Sequence, residues 1–291
     1  MKGASGFSVE DFGLAASYMP RHYSPVWKAP LPGWRESLDK ECLRIPTEAL
    51  PSIFFRADGV GAAGQAFEAV CRLFRHHGVP LALAVVPAWL SPARQKRLFS
   101  TAPLDEELWG WHQHGWRHVN WQDSGRTSEF GANRPPERQH ADILQGRQKM
   151  EAHFGQHFVP IFTPPWNRFS PATVKALQAL EFKGISTAGE LPPGVKLPWD
   201  LCNFAVSINL HTREDKDPAR DFTRLLEELC SLAGKSECVG IGINHQRMTP
   251  FAFQFLHCLL YNLRHVVKAR FFSFREILNG SDEKQAGARL C

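Results

Sequence analysis

Histidines and one carboxylate that could act together follow short apolar runs in this sequence. His114 and His118 lie four positions apart in HGWRH, and imidazoles at that spacing can share a metal ion when they project from one side of a helical turn. Asp58 follows the run at 52–57 and would complete a site of two histidines and a carboxylate, with positions left for water and substrate. His245 ends a later run, where an imidazole can protonate a leaving amine. The pattern predicts metal-assisted hydrolysis.

Other polar and aromatic residues follow the same or neighbouring runs, and we assign them to substrate binding or to support of the site. Two tryptophans offer flat faces on which sugar rings can stack. The predicted substrate-binding residues are Trp116, Pro165, Trp166, Asn167 and Arg168. The predicted supporting residues are Arg56, His112, His211 and Arg247.

The elements that must position these residues alternate between strand and helix. Eight strand-sized apolar runs are found at 52–57, 80–86, 108–111, 159–162, 182–186, 204–210, 239–244 and 269–274. Segments with helical spacing are found at 64–78, 136–154, 171–181, 218–233 and 250–268. This alternation predicts an α/β fold with a parallel sheet, and both a barrel and an open doubly wound sheet agree with it. In either case the carboxyl ends of the strands form the active site.

The organisation along the chain predicts one barrel-like domain with two flanking segments. Residues 1–49 are rich in proline and read as an extended arm packed on the barrel. Residues 50–279 form the barrel, within the usual size of such a domain. The polar segment 280–291 is predicted to be a disordered tail.

Composition excludes several classes of function. The net charge is +5 and no run of five like charges occurs, which argues against a nucleic-acid partner. No stretch of eighteen apolar residues occurs and Glu10 and Asp11 interrupt the start, so we expect neither a membrane span nor a secretory signal. The seven cysteines form no C-x-x-C pair, which predicts reduced thiols in a cytoplasmic protein.

Taken in chain order, four motifs resemble those of the polysaccharide deacetylase family, carbohydrate esterase family 4, with its nodulation-type chitooligosaccharide deacetylase homology domain. They are FFRADG at 54–59, HGWRH at 114–118, TPPWN at 163–167 and IGINH at 241–245. The resemblance covers roughly residues 50 to 275 and implies a distorted (β/α)7 barrel. It also implies hydrolysis of an N-acetyl group, or of a related non-peptide amide, on a saccharide or a small molecule.

Site roles follow from the same resemblance. Asp58 would be the general base and could itself bind a divalent metal, normally zinc; His114 and His118 would be metal ligands, and His245 the general acid. The second aspartate of the family is replaced by Gly59, so metal binding is expected to be weakened or lost.

A second departure concerns the arginine that opens the family's third motif, since Thr163 stands there. Arg56 or Arg168 would have to orient Asp58 in its place. The fourth motif of the family is not recognisable, although Asn209 or His211 could substitute for it.

Two alternatives stay open on the sequence. The first is a catalytically impaired, carbohydrate-binding relative that has lost the metal ligand at Gly59. The second is a dinucleotide-binding protein, because GVGAAG at 59–64 is a complete G-x-G-x-x-G between a strand and a helix. That fingerprint requires an acidic residue at the end of the second strand, whereas VVPAWL at 85–90 has none.

Overall fold

The structure is a computed structural model that describes residues 9–45, 51–231 and 238–284. The strands are β1 (Ser52–Val60), β2 (Leu81–Val85), β3 (Trp109–His114), β4 (Phe158–Thr163), β5 (Gly184–Ile185), β6 (Cys202–Asn203), β7 (Val206–Asn209), β8 (Val239–Ile243) and β9 (Arg270–Phe271). The α-helices are α1 (Trp34–Leu43), α2 (Gln65–His77), α3 (Pro92–Thr101), α4 (Pro136–Phe154), α5 (Pro171–Ala179), α6 (Pro218–Cys230), α7 (Pro250–Tyr261) and α8 (Phe274–Lys284).

The chain divides into two compact units. Unit 1 comprises Met1–Ala57, Ala63–Leu81 and Ile208–Phe272, and unit 2 comprises Asp58–Ala62, Ala82–Ser207 and Ser273–Cys291.

In unit 1, β1 pairs in parallel with β8 and with β9. The register with β8 places Arg56 opposite Gly242 and Ala57 opposite Ile243. All of β8 and residues 53–57 of β1 are buried, as is typical of continuous apolar strands that are covered on both faces.

In unit 2, β3, β4, β5 and β6 pair in parallel, each with the next in the chain. His114, the last residue of β3, pairs with Thr163, the last residue of β4. This register is important for the site, because it aligns the carboxyl ends of the two strands and the polar residues that follow them. The parallel pairing in both units confirms the predicted α/β class.

Helix α2 shows how local sequence specifies an element. Phe67, Val70, Cys71 and Phe74 repeat at helical spacing, and all four are buried. The helix ends at Gly78, which adopts the left-handed conformation with a φ of 59° that only glycine reaches without strain. The helical spacing found at 64–78 predicted this helix.

The termini differ from the sequence prediction. The proline-rich arm contains α1, with Leu38 and Cys42 buried, and is therefore not extended throughout. Helix α8 continues to Lys284, so the first residues of the predicted disordered tail are helical, while 285–291 lie outside the described residues. Helix α3 was missed because its spacing of apolar residues is weak, with only Leu98 buried.

Two apolar runs also end differently from the prediction. The run at 204–210 contributes only β7, and the run at 269–274 is divided between β9 and the start of α8. The six cysteines of the described part of the chain carry free thiols. None of the described helices is both long and apolar enough to cross a membrane.

Candidate functional site

The predicted metal ligands His114 and His118 are brought together in unit 2. His114 is the last residue of β3, and His118 follows it across a four-residue turn. The centroids of the two rings are 5.0 Å apart. The predicted pairing is therefore present, although the element that produces it is different.

A left-handed turn, and not the expected helical turn, brings the two imidazoles together. Gly115 and His118 have φ values of 56° and 58°. A Cβ on Gly115 would lie 2.4 Å from Glu129 Oε2 and 2.5 Å from Pro165 Cγ, so only glycine fits. A histidine with positive φ is strained, and such strain is concentrated at functional sites.

The carboxylate of Glu129 holds this turn, and the sequence analysis missed it. It accepts hydrogen bonds from the backbone N–H groups of Arg117 at 2.7 Å, His118 at 3.1 Å and Trp116 at 3.4 Å. Glu129 is fully buried, and burial raises the pKa of its carboxyl group to about 7. The three N–H donors favour the charged form and so oppose this rise. An isolated glutamate in a long loop gave no sequence signal for this role.

Thr163 fixes the tautomer of His114. The His114 ring donates its Nδ1 proton to the carbonyl oxygen of Thr163 at 3.1 Å, because a carbonyl can only accept. In the neutral ring Nε2 then carries the lone pair, which is the form that binds a metal. The family that the motifs resemble has an arginine at this position. In this chain the backbone carbonyl of Thr163 orients His114, a predicted metal ligand.

The same threonine also contacts His112, one of the predicted supporting residues. His112 is fully buried on β3, with Nδ1 3.2 Å from the carbonyl of Gly110 and Nε2 2.9 Å from the Thr163 hydroxyl. Because the carbonyl takes the Nδ1 proton, Nε2 accepts from the hydroxyl. His112 therefore links β3 to β4 through the Thr163 side chain.

Asp58 lies near the end of β1 and acts electrostatically on His118. Burial lowers the pKa of His118, while its own backbone hydrogen bond and the negative charge of Asp58 oppose that shift. Gly59, which follows Asp58, has a φ of 72°.

Trp166 is placed against the histidine pair. Its ring centroid is 4.2 Å from that of His118, and 37% of the residue is exposed. Trp166 and Asn167 have φ values of 55° and 54°, so two consecutive residues without a glycine hold the left-handed conformation here. The strained backbone places a partly exposed indole beside His118, and its binding to a sugar ring stays a prediction.

Trp116 has a different place from the one predicted. It is only 6% exposed and packs in a core cluster with Phe130, Ile143 and Phe162. The burial assigns this tryptophan to packing, and it offers no face for a sugar.

Three other residues predicted to bind substrate are engaged with the protein. The Asn167 side chain donates to the carbonyl of Ala188 and accepts from its N–H at 2.8 Å. Arg168 donates to the carbonyl and hydroxyl oxygens of Thr127 at 2.7 and 2.8 Å, and Pro165 is buried. These contacts fix the loop after β4, and a role in substrate binding stays a prediction.

The remaining predicted residues, Arg56, His211, His245 and Arg247, belong to unit 1. Arg56 is buried on β1. His211 Nδ1 accepts the Asn244 N–H at 3.2 Å, and burial, together with the charges of Arg247 and His245, lowers the pKa of His211 to about 3. A permanently neutral His211 is therefore a structural partner of the loop that carries His245.

Within the glycine-rich segment 59–64, Gly61 has a packing explanation. A Cβ on Gly61 would lie 2.7 Å from Cβ of Trp89 and 2.8 Å from its ring. Glycine is required at position 61 because the indole of Trp89 packs against its backbone. In a dinucleotide fingerprint, glycine is required because a pyrophosphate approaches the backbone.

The donor types fit a divalent transition metal, although the ligand atoms of Asp58, His114 and His118 do not all lie within 4.8 Å of one another. Two imidazoles, one with its lone pair fixed on Nε2, and the carboxylate of Asp58, whose charge acts on His118, are ligand types that zinc accepts. The outer support is also present, since Thr163 and Glu129 hold the ligand ring and the ligand backbone.

Comparison with known proteins supports the family predicted from the motifs. The polysaccharide deacetylase family model matches residues 58–185, a span that begins at Asp58 and includes both histidines and the 163–167 segment. No curated protein gave a match.

Solved structures are similar over most of the chain. A Mycobacterium smegmatis protein assigned to the polysaccharide deacetylases has a TM-score of 0.54 and 14% identity, over 93% of this chain and 98% of its own. The Xyl-CE4 domain of a multidomain xylanase from the hindgut metagenome of Trinervitermes trinervoides has a TM-score of 0.50 and 10% identity, over 80% and 92%.

A mutant of a Bacillus anthracis CE4 family pseudoenzyme, one with restored enzymatic activity, has a TM-score of 0.50 and 12% identity, over 80% of this chain and 69% of its own. Identities this low establish the fold alone. The fold is that of the deacetylase (β/α)7 barrel, as predicted.

Proposed function

We propose that this chain, a divergent member of the polysaccharide deacetylase family, removes an N-acetyl group, or hydrolyses a related non-peptide amide, on a sugar or another small molecule. The observation that carries the proposal is the histidine pair in unit 2. The ring centroids of His114 and His118 lie 5.0 Å apart, the tautomer of His114 is fixed by Thr163, and Asp58 acts on His118.

His114, His118 and Asp58 would hold a divalent metal, with zinc the first candidate for two imidazoles and a carboxylate. When bound, the metal polarises the amide carbonyl and lowers the pKa of water. Gly59 contributes no side chain, so Asp58 is the carboxylate available from this segment.

The protein's own residues account for the remaining steps. Asp58 accepts a proton from the attacking water, whose oxygen bonds to the carbonyl carbon; the C–N bond then breaks, giving a carboxylate and an amine. The family resemblance assigns protonation of that amine to His245, and this assignment stays a prediction. Trp166, 37% exposed beside His118, offers the apolar face on which a sugar ring can stack.

Acetate release from N-acetylglucosamine oligomers tests the proposal. We expect release by the zinc-loaded chain, loss of release after chelation, and recovery when zinc is returned. An absence of release from these oligomers and from small N-acetylated amines, in protein shown to contain zinc, would contradict it.

A second candidate, an inactive carbohydrate-binding relative, is favoured by Gly59. One carboxylate fewer weakens the attraction for a dication, because two neutral imidazoles add no charge. This candidate predicts oligosaccharide binding that Trp166→Ala weakens, with no acetate release at any zinc concentration. Release of acetate by the wild-type chain would exclude it.

A further inference from the structure

Three histidines far from the predicted motifs come together inside unit 1. His76 and His77 are the last two residues of α2, and His257 lies on α7. Each offers one ring nitrogen, and the three nitrogens all lie within 4.8 Å of one another. No motif in the sequence joins these positions, since 180 residues separate His77 from His257.

The two buried rings are already spaced almost as metal ligands are. His77 Nε2 lies 3.0 Å from His257 Nδ1, and the two atoms share a hydrogen bond. Two nitrogens on a tetrahedral zinc, each about 2.05 Å from the ion, lie about 3.3 Å apart. A small opening of the pair would admit the ion, and the proton of the hydrogen bond would move to the other nitrogen of its own ring.

The exposed ring of His76 gives an ion access to the three-histidine cluster. His76 is exposed while His77 and His257 are buried, so an ion reaches the cluster from the side of His76 and keeps a position open to water. The centroid of the His76 ring is 4.9 Å from that of His77 and 5.9 Å from that of His257. Three protein ligands and one water complete a tetrahedral shell.

The surroundings select the type of ion. His77 and His257 are buried, and the neutral form of an imidazole is the one that binds a metal. Arg264 and His265 act electrostatically on His77, and Arg35 acts on His257. The positive charges of Arg264 and Arg35 disfavour an ion held by charge alone, such as Ca²⁺ or Mg²⁺, whereas imidazole nitrogens bind zinc, copper or nickel through directed bonds.

The end of α2 partly offsets this positive surrounding. The carboxyl-terminal end of a helix carries partial negative charge from its last carbonyl groups, which favours a cation there. His76 and His77 occupy that last turn, and the helix stops at Gly78 immediately after them.

We propose that His76, His77 and His257 form a transition-metal site, with zinc as the preferred ion, that fastens the end of α2 to α7. The site is separate from the predicted deacetylase ligands and does not depend on the proposed function. It gives the chain a second zinc whose effect is on the stability of unit 1.

Zinc binding by the full-length chain in a His118→Ala background tests this site alone. Zinc titration of chelator-treated protein, elemental analysis after dialysis, and thermal unfolding with and without zinc are the measurements. We expect about one bound zinc per chain and, at zinc a hundredfold above Kd, a rise in Tm of roughly 5 °C.

His76→Ala is the decisive variant, because His76 is exposed and its removal leaves the buried pair intact. In the His118→Ala background it should abolish stoichiometric zinc binding and the rise in Tm. His257→Gln should do the same, while the exposed His22→Ala, a matched loss of one histidine, should change neither.

Two results would overturn the proposal: no zinc bound in the His118→Ala background, or unchanged binding after His76→Ala is added. Loss of acetate release bears only on the deacetylase site, since His76→Ala by itself should leave that activity unchanged.

Discussion

Two groups of histidines in this protein are held together in opposite ways. His114 and His118 are close in sequence, and their rings meet through a strained turn fixed by a buried carboxylate. His76, His77 and His257 are held by two helices whose residues are distant in sequence. The first group depends on backbone conformation and the second on helix packing, so different changes should disable each.

Removing one ring from each group gives the largest effects and separates them. His118→Ala should lower acetate release by more than about 100-fold, since even the loss of an outer partner of a metal ligand costs 10–100-fold. The same variant should keep the zinc of the second group, and His76→Ala should show the reverse. Acetate assays and elemental analysis on both variants check this. If His118→Ala removed both zincs, the two groups could not be treated as independent.

Gly115→Ala tests the dependence of the first group on backbone conformation. The new Cβ would meet Glu129 Oε2 at 2.4 Å and Pro165 Cγ at 2.5 Å, in a residue with a φ of 56°. We expect a loss of about 3 kcal/mol in the free energy of unfolding, from left-handed strain and overpacking together. Urea denaturation measures it.

Gly125→Ala is the matched control, because Gly125 has a φ of 81° and nothing within 4 Å of the added Cβ. It should cost about 1 kcal/mol, from backbone strain alone. Equal losses in the two variants would mean that the contacts of Gly115 with Glu129 and Pro165 are unimportant.

Glu129 should make the free energy of unfolding depend on pH. Because burial raises its pKa from 4.5 to about 7 in the folded protein, the folded state binds the proton more tightly than the unfolded state. The contribution of protonated Glu129 to the free energy of unfolding is complete below pH 4.5 and is lost as the pH rises to about 7.

Glu129→Gln removes the titrating carboxyl group and so isolates its effect on stability. In chelator-treated protein, the wild type minus variant difference in unfolding free energy should fall by on the order of 2 kcal/mol over that range. Urea denaturation at several pH values gives the difference. A difference that stays flat, or that grows with pH, would contradict the raised pKa.

Gly59→Asp gives the smallest expected effect on stability and tests the missing carboxylate. Gly59 has a φ of 72°, which an aspartate tolerates at a cost of about 1 kcal/mol. A second carboxylate beside Asp58 should raise zinc affinity and acetate release together, by about tenfold. Zinc titration and acetate assays measure both; no change in either would show that the missing carboxylate does not limit the site.

Much of the fold was predictable because local patterns specify it. The apolar run at 52–57 and the amphipathic segment at 64–78 gave β1 and α2, since full burial selects continuous apolar strands and a helix buries one face. The spacing in HGWRH likewise identified the residues of the histidine pair. It did not predict the turn between them, because positive φ at His118 is imposed by the surrounding contacts and not preferred by histidine.

The sequence by itself therefore determined the α/β class and the order of the motifs, and it singled out Asp58, His114 and His118 as candidate ligands. Only the tertiary structure assigned Trp116 to the core, Glu129 to the turn and Thr163 to the tautomer of His114. It alone brought His257 to His77. The reason is physical: strand and helix patterns are local properties of the chain, whereas burial and hydrogen bonding between distant residues depend on how the elements pack.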